Sequence, residues 1–374
     1  MFKSNKKRIG ILTFHFPYNY GAMLQAYALQ KTISKNKNIY CEIIAYEPEE
    51  HTNIFKVSIK NYITFKEVSG FFNKIKVILS GCYAYFKERN IERDYNYRKF
   101  QRLLKKSKKF KSKTNLVKHL NYDVIVVGSD QIWRKFENYD DVYFLNFNSS
   151  NIKKVSYSAS AGGCFPNEDL TLIKDYLCKF DFISVREKVL SNQLLECGIP
   201  NRVDFDPTLL LQKDDYIKIE KKVKRKKDFI FVYLCRDERL VKVLNYVSQK
   251  FNYEIVVGPY VDFKEKVNFC FSKLDYIGPQ EFLYCVHHAA FVVTSSFHCT
   301  VFSIVFDTPF TILDGIGAFE RIKNLLDLTE LRSHIFESLE KIDFDSDYRK
   351  AKNIINNSTK SSIQYIEHDI CGNK

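Results

Sequence analysis

The sequence predicts two doubly wound, Rossmann-like α/β domains facing each other across a cleft. Three observations carry that prediction. Its 374 residues exceed one ordinary core and suit two domains of roughly 100–200 residues each. Runs such as "DVIVV" and "FIFVY" are apolar throughout, as strands buried on both faces of a parallel sheet are. Such runs alternate with stretches of helical spacing, and the alternation occurs twice.

In the first domain, expected over residues 1–212, "RIGILTF" is a strand. Pro17, Asn19 and Gly21 turn the chain, Ala22 to Ile33 is a helix, and "YCEIIAYEP" is the next strand. A basic helical insertion follows at about 51–118, with its clearest helix in "ERNIERDYNYRKFQRLLKKSKKF". The sheet resumes at "YDVIVVGSDQIW" and continues through "KKVSYSASAGG". After it come a helix around "EDLTLIKDYLCKF", the strand "FISVRE", the helix "KVLSNQLLECG" and the strand-like "NRVDFDPTLLL". Pro207 and the polar "QKDDY" beyond it close the domain.

The second domain, expected over 213–345, opens with the strand "DFIFVYLC" and the helix "RLVKVLNYVSQKF". Strands "YEIVVGP" and "KLDYIGP" lead to the helix "QEFLYCVHHA" and the strand "FVVTSS". Then follow the helix "CTVFSIVF", the strand "PFTIL" and the helix "AFERIKNLLDL". Residues 346–374 form a polar helical tail expected to pack back over the first domain.

Hydrophobic and aromatic contents of 45% and 15% exclude a disordered chain. After the basic "MFKSNKKR" only Ile9 to Leu12 is apolar, too short for a signal peptide or a spanning helix, so a cytoplasmic protein is expected. Ten cysteines without a C-x-x-C pair, several inside apolar runs, read as buried reduced thiols rather than a disulfide framework or a zinc site. The net charge of +14 sits in one segment: from His51 to Leu120 there are 18 Lys and Arg against four acids, and the rest of the chain balances. That segment is also aromatic. A solvated helical face is the default for such a run; the alternative is a basic surface for an anionic membrane, with nucleic acid as the less expected partner.

Residues just past the predicted strands gather donors, small side chains and one imidazole: His15, Tyr18, Asn19, Gly21, Gly128, Ser129, Asp130, Gln131, Ser158, Ser160, Arg186, Arg236, Gly258, Gly278, Ser295, Ser296, His298 and Gly315 to Gly317. That chemistry suits an anion. The helix start at Ser295 to His298 offers unpaired N–H groups, and Arg186 or Arg236 can add a bidentate clamp. His298 is placed to move a proton, while a plain N-cap with a partly packed histidine is the commoner meaning of such residues at a helix start. In "GSDQIW", Gly128 permits a tight turn and Trp133 anchors it; Asp130 either caps the next segment or accepts a proton from a hydroxyl. The glycines of "GIG" make no nucleotide loop, since neither G-x-G-x-x-G nor G-x-x-x-x-G-K-[ST] occurs. His287 and His288 end a helix, where the dipole favours a cation, and are read as structural. Eight scattered histidines give no metal cluster, and His15 is left without a role.

Taken in order, "NYGAMLQAYALQ", "YDVIVVGSDQIW", "SYSAS", "SVREK", "DPTLLL" and "SSFHCTVFSIVFDTPF" resemble the polysaccharide pyruvyl transferase family. The resemblance runs from about Arg8 to Leu328 and is weakest over 51–100. It implies a two-domain fold similar to the GT-B glycosyltransferases, and transfer of pyruvate from phosphoenolpyruvate to a sugar of a surface glycan. It also implies that His298 and Arg186 handle phosphoenolpyruvate; Asp130 joins them in the expected catalytic set on its own reading as acceptor of a hydroxyl proton. Ser295, Ser296, Arg236, Cys299 and Thr300 are then expected on the donor side. Asn19, Tyr20, Gly21, Gln25, Ser129 and Gln131 are expected on the acceptor side or along the cleft.

Phosphoenolpyruvate enters as a substrate, so no cofactor and no metal are expected. The acceptor is a sugar or a lipid-linked glycan, which would bring the protein to the inner face of a membrane. One departure stands out: members commonly read "SFHG", and Cys299 here puts a side chain where close backbone approach was available. Arg134 replaces a small polar residue after "GSDQIW". Two other readings compete: a nucleotide-sugar glycosyltransferase on the same architecture, and a non-catalytic protein whose basic segment binds lipid or nucleic acid.

Overall fold

The apolar runs build two parallel sheets. The structure, a computed structural model, describes residues 6–48, 91–148, 151–224, 228–314, 319–345 and 347–372. In the first sheet, β1 (Lys7–Leu12), β2 (Ile39–Ile43), β3 (Val124–Val127) and β4 (Lys153–Ser156) lie in the order β2-β1-β3-β4. Ile9 pairs with Cys41 on one side and Val124 on the other. Bridges Val155–Phe182 and Ala159–Val185 carry the pairing toward β5 (Ser184–Val185), which pairs with β6 (Arg202–Val203).

The second sheet has the order β11-β10-β7-β8-β9, formed by β7 (Phe229–Tyr233), β8 (Glu254–Val257), β9 (Phe271–Lys273), β10 (Phe291–Thr294) and β11 (Phe310–Ile312). β9 is shorter and earlier than the strand expected in "KLDYIGP", because Leu274 and Ile277 turn into the core instead of continuing the edge.

In each sheet the first strand is flanked by the next strand on one side and by a later one on the other. The order reverses between β1 and β3, and again between β7 and β10. Such reversals leave a crevice beyond the carboxyl ends of the strands, where ligands of doubly wound sheets bind.

Helix α1 (Tyr20–Ile33) starts at the first crevice, capped by Asn19, whose Oδ1 accepts from Ala22 N at 3.1 Å. It is buried on nearly every face, with Lys31 its one exposed residue, because it is sandwiched between the lobes. One apolar cluster runs from Ile9 and Met23 of the first lobe through Phe231 and Phe302 of the second to Tyr365 near the C-terminus. The lobes therefore share a core. The terminal helix Arg349–Tyr365 straps them: Tyr348, just before it, donates to Thr308 O at 3.3 Å, while Tyr365 Oη reaches Ser156 O at 2.9 Å.

The insertion departs from the long helix expected over 88–110. Helix α2 (Ile91–Gln101) stops after eleven residues, and the chain then runs extended along the outer edge of β2. Ile43 N donates to Lys105 O at 2.8 Å and Glu47 N to Phe110 O at 2.8 Å. Satisfying an open strand edge outweighs a helix whose apolar stripe has run out. On α2, Tyr97 stacks on Tyr18 and Tyr20 at 4.6 and 5.5 Å, and Asn96 Nδ2 donates to Tyr276 O at 2.9 Å, so the insertion touches the second lobe. The rest of the basic segment, residues 49–90, lies outside the described residues.

Two other expectations change. Cys41, Cys235, Cys285, Cys299 and Cys371 are buried, but Cys164, Cys178 and Cys270 are exposed; Cys82 lies outside the described residues. His15 is wholly buried beneath its loop, with Nε2 3.6 Å from Glu47 Oε1, while Lys109 Nζ lies 2.5 Å from Glu47 Oε2. Burial alone would raise the Glu47 carboxyl, but its contacts with His15 and Lys109 outweigh that and hold it at about 2. A depressed folded value means that the stabilisation is full above the ordinary carboxylate range and is lost as pH falls toward 2. Glu47→Gln should therefore lower stability at pH 7 by about 1–3 kcal/mol and much less at pH 2.5. Urea unfolding at both pH values measures this, and an equal loss at the two would refute the linkage.

Among the described residues, no helix is long and apolar enough to cross a membrane.

Candidate active site

The two sheet crevices face one another, and a polar cavity of about 130 Å³ fills the gap. Asn19, Tyr20 and Gly21 reach it from the β1 loop, and Asp130 and Gln131 from the β3 loop. Tyr233 and Leu234 come from the end of β7, and Ser296, Phe297 and His298 from the start of α9 (Phe297–Phe306). Phe282 of helix α8 (Pro279–His288) and Arg321 complete the lining.

Phe297 and Arg321 also wall a second cavity of about 580 Å³, whose inner end carries Arg186, Glu187 and Asp206. Its sides are more apolar, with Val203, Phe205, Leu325 and Leu328. Thus the two spaces meet at one cluster of charges.

Asp206 is the centre of that cluster. It caps the short turn Pro207–Leu209, its Oδ1 accepting from Thr208 N at 3.0 Å and Thr208 Oγ1 at 2.7 Å. Its Oδ2 faces Arg186 Nη1 at 3.0 Å and His298 Nε2 at 3.6 Å. Full burial pushes the Asp206 carboxyl upward, but the contact and charge of His298, the Arg186 guanidinium and the Thr208 N–H hold it well below the usual carboxylate range. Asp206 is therefore held as a buried anion above the acid range. It ties the imidazole of one lobe to the guanidinium of the other.

Arg186 is only 5% exposed, and three of its five donors are engaged within the first lobe while it also lines the larger cavity. Besides Asp206, Nη2 donates to Ser160 Oγ at 2.9 Å and Nε approaches Glu187 Oε1 at 3.3 Å, while Ser160 Oγ itself donates to Glu187 Oε1 at 2.5 Å. Burial works against its charge, yet Glu187 and Asp206 raise its pKa further. Arg186 thus orients Asp206 and lines the larger cavity, where a second cation can join it in facing an anion.

Arg321 suits that task. It lines both cavities and lies 5.9 Å from the Phe297 ring centre. Burial, together with the charge of Arg186, lowers its pKa to about 10 despite Glu187, Asp130 and Asp206. A cation destabilised by burial and by a like charge gains when an anion arrives. Nothing in "AFERIKNLLDL" marked this arginine, since one cation on an amphipathic helix reads as surface.

His298 is positioned by close packing against Gly21 as much as by its 3.6 Å approach to Asp206. A Cβ built on Gly21 would lie 2.0 Å from His298 Nδ1 and 2.5 Å from its Cε1, so the ring edge rests against the bare backbone of α1. With Nε2 turned to Asp206, Nδ1 is on the Gly21 side, where the cavity lies. Ser296 caps α9 by accepting from Cys299 N at 3.4 Å; the first-turn N–H groups of Phe297 and His298 have no intrahelical partner by the geometry of a helix start.

Other expected site residues hold the walls. Gln25 is fully buried; its Nε2 donates to Thr13 Oγ1 at 2.9 Å and its Oε1 accepts from Ser129 N at 3.1 Å, which ties the β1 and β3 loops together. Ser129 Oγ donates to Ser158 O at 2.9 Å. Asp130 adopts a left-handed conformation, φ 69°, which asparagine and aspartate tolerate best after glycine, and its side chain stays beside the cavity. Arg134 Nη1 donates to Gln131 Oε1 at 3.2 Å, and Trp133 anchors the loop through Nε1 to Tyr143 O at 3.0 Å.

Four residues expected on the donor side do not line the cavity. Ser295 Oγ donates to Leu313 O at 2.7 Å, on the far side of the strand end. Cys299 is fully buried among apolar side chains, which push its thiol up to about 12. Its side chain therefore points inward, because it occupies the core-facing side of α9 and not the side facing the gap. Thr300 Oγ1 donates to Ser296 O at 2.9 Å within the helix. Arg236 is exposed on the loop after β7. Gly315 to Gly317 lie outside the described residues.

A sequence profile of the family described as polysaccharide pyruvyl transferase matches residues 19–315. No curated protein matches the sequence. Among solved structures, the fold is similar to one from Listeria monocytogenes assigned as a UDP-N-acetylglucosamine 2-epimerase, at TM-score 0.52 and 10% identity over 98% of this chain and 97% of that one. Another UDP-N-acetylglucosamine 2-epimerase matches at TM-score 0.50 and 10% identity, over 98% and 95% of the two chains. At such identity they speak to fold alone, two α/β lobes of the GT-B kind. With a profile spanning most of its length and this architecture around it, the chain belongs to the polysaccharide pyruvyl transferase family and is a transferase.

Proposed function

We propose that this transferase moves pyruvate from phosphoenolpyruvate onto two hydroxyls of a sugar, in a surface polysaccharide or its lipid-linked precursor, as a cyclic ketal. The observation that carries the reading is His298, held between Gly21 and the buried anion Asp206 at the rim of a donor-rich gap. Phosphoenolpyruvate is small, carries a phosphate and a carboxylate, and reacts by accepting a proton at carbon. Arg321 and the N–H groups at the start of α9 face its anionic groups. His298 delivers the proton, and Asp206 stabilises the imidazolium that precedes delivery.

The C=C electron pair takes the proton, turning methylene into methyl. One sugar hydroxyl bonds to the central carbon and loses its proton, for which Asp130 is the nearest loop carboxylate on the cavity. A second hydroxyl bonds to the same carbon, the carbon–oxygen bond to phosphate breaks, and phosphate leaves with the pair and one proton. No redox partner is required. The larger cavity, with apolar sides and a charged inner end, suits the acceptor glycan. A lipid-linked acceptor would give the basic segment its role, since each Lys or Arg near an anionic leaflet contributes about 1 kcal/mol.

The test is incubation with phosphoenolpyruvate and candidate acceptors, reading phosphate release and a new ketal methyl resonance. His298→Ala should reduce both by about 10²–10⁴ while the protein stays folded. Turnover of UDP-sugars without any response to phosphoenolpyruvate would overturn the reading in favour of a glycosyltransferase. Salt-sensitive binding to anionic vesicles tests the membrane role; binding to neutral vesicles alone would refute it.

A further inference from the structure

Away from the gap, the end of α8 meets the segment that follows helix Lys213–Ile217. His287 Nδ1 lies 2.9 Å from Glu220 Oε2, and His288 Nε2 lies 3.0 Å from Glu220 Oε1. One carboxylate thus faces two imidazoles from successive residues, through a different ring nitrogen on each. All three potential ligand atoms lie within 4.8 Å of one another. Around a tetrahedral ion with bonds of about 2.1 Å, ligand atoms sit about 3.4 Å apart. The two nitrogen–oxygen contacts run to different oxygens of Glu220, so an ion between the rings is held by a bidentate carboxylate or by one oxygen after a small rotation of the carboxylate.

Both rings are held in place before any ion arrives. His287 stacks on Phe306 at 4.6 Å and 21°, and His288 on Tyr284 at 4.2 Å and 29°. Their own centres are 4.3 Å apart. The Glu220 and His287 side chains are 13% and 17% exposed, whereas His288 is 41% exposed, so solvent reaches one side of the cluster and can fill a fourth position.

The electrostatics point the same way. The chain carries a net charge of +14, yet both ion pairs of Glu220 among the described residues are to these histidines. The neighbouring Lys221 is directed to Glu281 at 2.8 Å. Histidine supplies a counter-charge only when protonated. A divalent cation supplies it with both imidazoles neutral, each ring keeping its one proton on the nitrogen turned away from the ion.

We propose that Glu220, His287 and His288 bind one divalent transition-metal ion of the zinc class, with water at the open position. Two imidazoles and one carboxylate select borderline ions over magnesium or calcium. The ion fastens the end of α8 to residue 220, the stretch of chain that leads into the second sheet. It is a structural clip remote from the proposed chemistry, so its test is independent of the transferase reading.

The experiment begins with full-length protein stripped by chelator and dialysed. Zn²⁺ is titrated calorimetrically and Co²⁺ by visible absorption, with Mg²⁺ as control. Expected are one site with micromolar or tighter affinity for Zn²⁺, a Co²⁺ d–d band without thiolate charge transfer, and a rise of about 3 °C or more in Tm at saturation. His288→Ala, whose side chain is largely in solvent, should weaken Zn²⁺ binding at least about tenfold, in the range second-rank ligand losses reach. His287→Gln with His288→Ala should abolish it. A thiolate band would assign the ion to the exposed Cys164, Cys178 or Cys270 and overturn the proposal. So would stoichiometric binding unchanged in the double variant, equal affinity for Mg²⁺, or no saturable binding below about 100 µM, well above the range expected of a preformed site.

Discussion

Replacing Asp206 by Asn should lower kcat by about 10²–10⁴, the range associated with losing a positioned proton-transfer group. The reason lies in what Asp206 joins. Its Oδ2 faces Arg186 Nη1 at 3.0 Å and His298 Nε2 at 3.6 Å, with the carboxylate fully buried. Asparagine keeps the shape but removes the charge, so the imidazolium loses its partner at the moment it must form. It also leaves the Arg186 guanidinium with Glu187 as its remaining close carboxylate contact.

Breaking a buried pair from one side typically costs about 3–5 kcal/mol of stability, so the variant needs a thermal scan and a per-folded-molecule rate. Because the folded pKa of Asp206 is depressed, its stabilisation is full above the unfolded value of about 3.9 and is lost as pH falls through the lower folded value. The stability gap between wild type and variant should therefore narrow in strong acid. Wild-type kcat in folded Asp206→Asn protein would remove Asp206 from the mechanism.

Gly21→Ala should cost about 10²-fold in kcat, the effect expected of an ångström-scale displacement of a reacting group. The added carbon would stand 2.0 Å from His298 Nδ1, far inside contact distance. Something must move. Helix α1 is buried on nearly every face and fixed at its start by the Asn19 cap, so the ring gives way. That displacement opens its contact with Asp206. Alanine is the better helix former by about 1 kcal/mol, which offsets part of the strain, so the loss falls on activity more than on Tm.

The decisive comparison is a double-mutant cycle. In a His298→Ala background the Gly21→Ala change should add almost nothing, because the clash is gone. Additive losses would show that Gly21 acts on something else. Together the two variants probe the imidazole from opposite edges.

Much of this was written along the chain. The sheet strands gave themselves away by unbroken apolar runs such as "DVIVV", and the crevice loops by the polar residues that follow them. Asn19, Gly21, Asp130, Gln131, Ser296 and His298 were found that way, and all line one cavity. The six ordered motifs carried the family resemblance, which the profile match over 19–315 supports. Asp206 lay within one of them, "DPTLLL", but was not singled out; an aspartate before proline reads locally as a turn cap, the duty its Thr208 contacts show, and its facing of His298 is visible only in the fold.

The expected site residues that the structure places away from the cavity are those whose position depends on which way a side chain turns. Cys299 and Thr300 share a helix start with His298, yet a turn of about 100° per residue sends them into the core and His298 into the gap. The helix over 88–110 failed for a related reason, since only the folded sheet shows that β2 has an open edge for residues 105–110 to satisfy.

Local pattern therefore determined the strands, the order of the lobes and the loops that meet between them, because periodicity and turn chemistry act over a few residues. The tertiary structure alone decided that Arg186 is tied to Asp206 and Glu187, that Arg321 is the cation walling both cavities, and that Gly21 makes room for His298. Each of those facts joins residues more than 20 positions apart or sets a buried charge against its neighbours, and burial and proximity are properties of the packed chain.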